Sequence, residues 1–480
     1  MKKIMLLYPP GKLYQRGEDR SQGNIDDSSA TAMRACNDLG YAAAVLRNRG
    51  YDVFLRDYQT ERVSEEDLFR DLEEQNMGMF VLSVTNATIY EDIALANRVR
   101  EKYDCVIVLK GAIFYDAEDA MLDLLDLSHI DFLIGGEMDF AIGEIADYVY
   151  AGKGNLQDID SIYYKTKDHT WEKTRFHVWG QDLDAQPFPA RDLMKNELYV
   201  RPDTGEAMAT IQTSRGCPSN CIYCLSPDIS GKKVRFRSPE NVFAEIKECY
   251  EVHGIKNFFF KADTFTIDAE WVNKLCNIII QSDLYKKIEF TANSRVRPLK
   301  KETLEIMKKA GCFAVAFGFE SGCQDTLDRI KKGTTVEENL QAMKWAKEVK
   351  LQVYGFYMIG FPWETREMVM KTVDHMFALD ADFVEIHIAL PYYGTRLYEE
   401  CRDAGTLVKD TFGSDYFHSS TVGTQYVSME ELVQIRNHAM KKYYMRIGYI
   451  CRKMIHAITK PVVMKNYVKY GLKMLKHLTK

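Results

Sequence analysis

The sequence predicts an α/β protein: a doubly wound parallel sheet, then a partial (β/α)6 barrel, then a helical C-terminal region. Two observations carry this. Short apolar runs alternate with helix-length amphipathic stretches in two separate series, one over residues 1–150 and one over 206–400. Between them, residues 151–205 break the alternation with a hairpin-like stretch and the passage Gln186-Pro187-Phe188-Pro189, which reads as a connector. At 480 residues, 46% apolar and 28% charged, the chain has the composition of a soluble globular protein with room for two or three cores.

In the first series Ile4–Tyr8 is a strand and Asp38–Arg49 a helix closed by Gly50. Strand Asp52–Arg56 and helix Glu65–Gln75 follow, then strand Met79–Ser83 and helix Tyr90–Lys102. Strand Cys105–Lys110, helix Ala117–Leu125, strand Phe132–Gly135 and helix Ala141–Tyr150 complete it. Open parallel sheets bind ligands beyond the carboxyl ends of their strands. Here the post-strand loops are Pro9-Pro10-Gly11, Asp57-Tyr58, Thr85-Asn86-Ala87, Gly111-Ala112 and Gly135-Gly136-Glu137. Gly111, Gly135 and Gly136 would let a bulky ligand approach the backbone; the alternative is that they serve only as turns. The connector carries the hairpin Ser161–Lys165, Thr166–His169, Thr170–Phe176.

The second series has strands Met208–Thr213, Asn257–Lys261, Lys287–Ala292, Phe313–Phe319, Gln352–Ile359 and Phe383–Ala389. Helices near Pro239–His253, Ala269–Gln281, Lys300–Lys309, Val336–Lys350 and Glu364–Leu379 separate them. Six such units make a partial barrel with its chemistry on the loops that follow the strands. Residues 401–480 are expected to be helical and hold no catalytic motif.

After the first strand of this series comes Ser214-Arg215-Gly216-Cys217-Pro218-Ser219-Asn220-Cys221-Ile222-Tyr223-Cys224. Its C-x3-C-x2-C spacing supplies three soft thiolates, which suit zinc or an iron–sulfur cluster. Structural zinc closes a tetrahedron with four protein ligands, and no second C-x-x-C or H-x3-5-H follows. Cys249 and His253 are the nearest candidates, in an ordinary amphipathic stretch. A cubane cluster with three protein thiolates instead keeps one iron open for a reacting ligand. Of the eleven cysteines most are scattered singly (Cys36, Cys105, Cys276 and Cys401 among them), as free thiols are in a reducing compartment.

No secretory core follows Met1-Lys2-Lys3, and no apolar run approaches the roughly 18 residues of a spanning helix, so a cytoplasmic protein is expected. The net charge of −6 is uneven: residues 441–480 hold eleven Lys and Arg and no Asp or Glu. Aromatic and aliphatic residues interleave with these charges, as in Tyr443-Tyr444-Met445-Arg446-Ile447, and such a basic amphipathic tail suits peripheral contact with anionic lipid. Lysine stems lying over the protein's own surface are the plain alternative. Nucleic acid is not expected, because no reading module accompanies the charge.

The cysteine motif, its place after the first barrel strand and four later stretches resemble one family, the radical S-adenosylmethionine (SAM) enzymes. Those stretches are Asn293-Ser294-Arg295, Gly318-Phe319-Glu320-Ser321-Gly322, Gly360-Phe361-Pro362-Trp363-Glu364-Thr365 and Pro391-Tyr392-Tyr393-Gly394-Thr395. The resemblance implies a TIM-type partial barrel with a [4Fe–4S] cluster on Cys217, Cys221 and Cys224. SAM's amino and carboxylate groups would lie on the open iron, and its cleavage would release a 5′-deoxyadenosyl radical. Tyr223 would lie against the adenine, Asp263 would hold the SAM ammonium and Arg295 its carboxylate. Glu320 and Ser321 would meet the ribose, with Gly360 and Pro362 shaping the adenine pocket. A helix N-cap for Asp263, a structural salt bridge for Arg295 and a plain turn at Gly360 and Pro362 are the rival roles.

The first series looks like the Rossmann-like cobalamin-binding domain that precedes this barrel in one subgroup, through Pro9-Pro10, Leu39-Gly40-Tyr41-Ala42-Ala43 and Gly135-Gly136-Glu137. The D-x-H-x-x-G motif that supplies a lower axial histidine is absent, so cobalamin's lower face would lack one. Where the family often has paired glycines this chain has only Gly111, and where it has an acidic pair this chain reads Ala262-Asp263. The expected activity is a cobalamin-dependent methyl transfer to an unactivated carbon, driven by an external donor such as flavodoxin or ferredoxin. Cyclase, oxidoreductase or lipid-modifying chemistry are the enzyme alternatives, and a non-catalytic sensor is the alternative from another class. The substrate and any catalytic side chain acting on it are not legible; His387, Glu385, Tyr392 and Tyr393 near the last strand are the candidates to touch it.

Overall fold

The computed structural model describes residues 3–16, 23–26, 28, 33–176, 179, 182–408, 411–414, 417, 422, 424 and 426–478. The first sheet contains β1 (Lys3–Tyr8), β2 (Val53–Asp57), β3 (Met77–Ser83), β4 (Val106–Lys110), β5 (Phe132–Ile134), β6 (Ile162–Lys165) and β7 (Trp171–Lys173) in the order β2-β1-β3-β4-β5-β6-β7. Its first five strands are parallel. Helices cover both faces, so each strand must be apolar on both sides. Ile4, Leu6, Met79 and Val81 enter one core with Leu39, Ala43 and Ile142. Met5, Leu7, Phe80 and Leu82 enter the other with Ile93, Ala96 and Phe114. Each such fully buried aliphatic side chain stabilises the fold by roughly 1.5–3 kcal/mol. The 2-1-3-4-5 order reverses direction between β1 and β3, where sheets of this kind open a ligand crevice.

The second sheet contains β8 (Met208–Gln212), β11 (Asn257–Lys261), β12 (Glu289–Ser294), β13 (Cys312–Glu320), β14 (Gln352–Ile359) and β15 (Phe383–Ile388), all parallel and adjacent in chain order. A two-residue pair, β9 (Ser214–Arg215) with β10 (Arg235–Phe236), branches off after β8. Ile211, Phe258, Phe260, Phe290, Val315, Phe317 and Val384 pack outward against the helices. The alternate residues Asn293, Ala316, Gly318, Phe356, Met358 and His387 line a cavity on the concave side. The helices start where the sequence supplies caps: Thr335 and Glu338 form a capping box for Val336–Glu348, and Ser64 and Asp67 form one for Glu65–Gln75.

Three expectations are corrected. The hairpin assigned to the connector joins the first sheet, β6 pairing antiparallel with the outer edge of β5. That edge would otherwise leave a row of backbone groups unpaired, and Ile162, Tyr163 and Tyr164 bury there. The helix expected over 117–125 is one turn, Asp119–Leu122. Residues 401–480 are not helical throughout: a helix ends at Asp403 and the next begins at Met429, with only the bridge Leu407–Val422 described between them. From Met429 the chain forms helices Met429–Tyr444, Ile447–Ala457 and Pro461–Leu478. They pack at the end of the barrel where its strands begin: the Tyr443, Tyr444 and Tyr449 hydroxyls donate to the carbonyls of Ala381, Val384 and Asp382 at 2.5, 2.8 and 2.8 Å. No helix among the described residues is long and apolar enough to cross a membrane.

Candidate active site

The post-strand loops of both sheets border one cavity of about 330 Å³. From the first sheet come Asn86, Lys110, Ala112, Ile113, Gly135, Gly136 and Glu137; from the barrel come the cysteine loop, Asp263, Arg295, Glu320, Lys332, Met358 and His387.

The cysteine loop leaves the barrel through a narrow neck. Gly216 has φ +101°, and a Cβ there would sit 2.4 Å from the Lys233 carbonyl, so only glycine closes the neck. The Cys217 amide donates to Gly231 O at 2.9 Å, and Asp263 accepts the Gly216 amide at 3.1 Å. All three cysteines reach the cavity wall; Cys217 and Cys221 are buried and Cys224 is half-buried. An Arg295 guanidinium nitrogen lies 3.5 Å from Cys221 Sγ, and the Ser226 amide lies 3.5 Å from Cys224 Sγ. Donors aimed at sulfur stabilise thiolates and tune what they bind. Among the described residues no three His, Cys, Asp or Glu side chains converge closely enough for a single metal ion.

Glu320 ends β13 in the left-handed region, φ +61°, at a register shift between β13 and β14. A non-glycine residue held there costs of order 1–3 kcal/mol, and such strain concentrates at functional sites. The strain turns the carboxylate into the cavity, where Lys332 holds it at 2.5 Å. Gly318 makes room for the pair: a Cβ would meet Glu320 Oε1 at 2.4 Å and Lys332 Nζ at 3.0 Å. Tyr223 also lines the cavity, and burial, followed by the Glu320 charge, keeps its hydroxyl protonated well above the ordinary range.

Four expected residues lie elsewhere. The Ser321 hydroxyl is buried at 2.8 Å from Thr372 Oγ1 and accepts the Cys323 amide at 3.0 Å, so it supports the loop from behind. Gly360 and Pro362 flank Phe361, which packs in a core beneath Tyr223. The Gly360 amide is held by buried Glu364 at 2.7 Å. Gly111 sits against Val84, where a Cβ would approach Val84 Cγ2 to 2.6 Å; it brings the β3 and β4 loops together without reaching the cavity wall. Gly135 and Gly136 do reach it, and each is required, since a Cβ would meet Phe114 O at 2.4 Å or Ser161 Cβ at 2.5 Å.

The structure adds contacts that the pattern did not point to. Glu137 pairs with Arg235 at 2.5 Å and Arg215 at 3.4 Å, and Arg215 also reaches Asp139 at 3.0 Å. These buried charges clamp the helix after β5 to the neck of the cysteine loop. Burial raises the Glu137 carboxyl above the ordinary range despite the two arginines. Lys332 likewise carried no local signal. At the far end of the cavity His387 lies 5.9 Å from the Phe356 ring and 5.6 Å from the Phe417 ring; burial, with Arg436 nearby, lowers it to about 3, so its imidazole is neutral. Glu385 is not on the cavity wall: it is buried, accepting from Ser28 at 2.8 Å and facing Arg436 at 3.4 Å.

The radical SAM superfamily pattern matches residues 211–376, which span the cysteine loop and most of the barrel. Those residues form a radical SAM domain. An uncharacterised methyltransferase of Pyrococcus horikoshii is 29% identical over 410 residues, covering 85% of this chain and 87% of that protein. The cobalamin-dependent SAM radical enzyme OxsB, solved with aqua-cobalamin and SAM bound, superposes with a TM-score of 0.73 at 14% identity, covering 100% of this chain and 72% of that one. The radical SAM methyltransferase TsrM from Kitasatospora setae, solved with cobalamin and a [4Fe–4S] cluster, gives 0.66 at 17% identity over 85% of this chain and 76% of that one. This radical SAM chain therefore has the fold of these cobalamin-dependent enzymes, an open parallel sheet ahead of a partial barrel.

Proposed function

We propose that this radical SAM enzyme is a cobalamin-dependent methyltransferase acting on an unactivated carbon. The carrying observation is the single cavity walled on one side by three cysteines and on the other by the glycine loops of the first sheet. When bound, a [4Fe–4S] cluster with SAM supplies a 5′-deoxyadenosyl radical and cobalamin supplies a methyl group, the hard chemistry belonging to the cofactors. Cys217, Cys221 and Cys224 hold the cluster, and Arg295 and the Ser226 amide donate to its sulfurs. Glu320, oriented by Lys332, accepts from ribose hydroxyls, and Tyr223 backs the adenine. Asp263 fixes the loop neck through the Gly216 amide, a second duty beside any contact with the SAM ammonium. Ser321, Gly360 and Pro362 act from behind this surface.

The cobalamin side is Asn86, Ala112, Ile113, Gly135 and Gly136, a wall with no histidine among its described residues. A corrin seated there would be held by backbone and shape. His387, neutral at the barrel end, and Tyr392 and Tyr393 face the substrate. The setting is a reducing, low-oxygen compartment, with a flavodoxin or ferredoxin as electron donor. The Pyrococcus relative and TsrM are both named methyltransferases, which supports methyl transfer here. Anaerobic loading with iron, sulfide and hydroxocobalamin tests the cofactor assignment. The wild-type chain is expected to retain both after gel filtration; a chain that keeps the cluster but no cobalamin would leave the radical chemistry and remove the methyl transfer.

A further inference from the structure

The last helices carry an apolar face that no described residue covers. In the Ile447–Ala457 helix and its C-cap, Ile447 is 80% exposed, Ile455 70% and Ile458 75%, with Met454 and Ile450 beside them. At 100° per residue these five share one face with exposed Cys451, while Tyr449 points to the opposite, buried side. The next helix, Pro461–Leu478, exposes Val462, Val468 and Leu472 with Lys465 and Lys469 among them. Scattered exposed apolar residues are normal on any protein, but a continuous aliphatic stripe on one helix marks an interaction surface.

The charge around the stripe has one sign. Residues 441–480 contain no Asp or Glu. Arg446 and Arg452 share Asp380, and Lys453 pairs with Asp382, on the barrel side. Lys460, Lys465 and Lys469, on the same two helices and the turn between them, are exposed. We propose that this face docks on the surface of an anionic lipid bilayer, aliphatic side chains entering the headgroup boundary and lysines meeting the lipid charge. A protein partner fits less well, because protein interfaces favour aromatic residues and arginine at their centre and deplete lysine, whereas this face is isoleucine, valine, methionine and lysine. The location suits the role. Asp380 and Asp382 precede β15, and Asn466 binds the Asp203 carbonyl at 2.9 Å just ahead of β8, so the helices sit where the strands begin. The cavity lies at the other end, and docking leaves its mouth clear.

Flotation of the full chain with vesicles of phosphatidylcholine plus phosphatidylglycerol, and of phosphatidylcholine alone, tests this. Two variants accompany it, I447S/I455S/I458S and K465E/K469E, all at exposed positions, with melting temperature as the check on folding. The wild type is expected to float with anionic vesicles, and each variant, like the wild type on neutral vesicles, to bind about tenfold less or weaker. High salt should release it. Wild type that stays unbound, or binds both vesicles equally, overturns the proposal. So does concentration-dependent dimerisation of the wild type that the serine variant abolishes without lipid, which would assign the face to a second copy. Retention on nucleic acid that the glutamate variant loses and the serine variant keeps, without flotation, would also overturn it.

Discussion

The first sheet and the barrel use the same strand–helix alternation and turn their loops toward the same cavity, but they furnish it differently. The barrel contributes reactive or recognising side chains held in costly geometry: three cysteines behind a glycine neck at φ +101°, and Glu320 at φ +61°. The first sheet contributes Gly135 and Gly136, short apolar residues, Asn86 and Lys110, and ties Glu137 and Asp139 into a buried clamp on Arg215 and Arg235. One rim is built around thiolates and a strained carboxylate; the other is built mainly around glycines and short apolar side chains. An architecture repeated twice thus divides its labour by what its loops carry.

Breaking the barrel rim should have the largest effect. Cys221→Ala is expected to abolish the visible absorption of the cluster and all 5′-deoxyadenosine formation; a variant that still cleaves SAM would refute the ligand assignment. Breaking the clamp comes next. Arg215 is 3% exposed and faces two carboxylates, so Arg215→Ala leaves both buried without a shared partner and should cost about 3–5 kcal/mol in chemical denaturation. Arg215→Lys should recover part of this, because one ammonium lacks the forked geometry. A loss under 1 kcal/mol would mean that the two sheets are held together by other contacts.

Gly318→Ala sharpens the comparison within the barrel. Its Cβ would displace the Glu320–Lys332 pair, and losing one charge-assisted hydrogen bond of about 1.5–3 kcal/mol should weaken SAM binding by tenfold or more. Unchanged affinity in an anaerobic titration would remove Glu320 from the SAM contact.

The effect confined to a pH window concerns Glu364, whose carboxyl burial pushes up from 4.5 to about 7 while the amides of Gly360 and Phe361 donate to it at 2.7 and 3.1 Å. Because the folded-state value is raised, its stability contribution is full below about pH 4.5 and is lost as pH rises through about 7. Wild type should therefore lose up to about 1.4 kcal/mol per pH unit across that window relative to Glu364→Gln. Parallel stability curves for the two proteins would contradict it.

How far the sequence could be read follows the same division. Three thiolates within eight residues announce themselves, and the eleven parallel strands of the two sheets lie within two residues of where apolar alternation places them at both ends. Lys332 could not be found this way, since it returns to Glu320 only after the intervening turn and helix Gln324–Arg329. Glu137 and Arg235 are 98 residues apart, and only the docking of the two sheets makes them partners. Ser321 shows the opposite error: next to a cavity residue in sequence, it is carried behind the wall by the turn at Glu320. The β6–β7 hairpin was visible as a hairpin, but its pairing with β5 depends on an edge that exists only in the folded sheet.

The most direct test of the account is an anaerobic assay of the chain loaded with cluster and cobalamin and supplied with a low-potential reductant and SAM, with 5′-deoxyadenosine and S-adenosylhomocysteine quantified together. The account predicts 5′-deoxyadenosine from the wild type and none from Cys221→Ala, with S-adenosylhomocysteine appearing only when cobalamin is present. Equal 5′-deoxyadenosine from both proteins, or none from a wild type with an intact cluster, would contradict it.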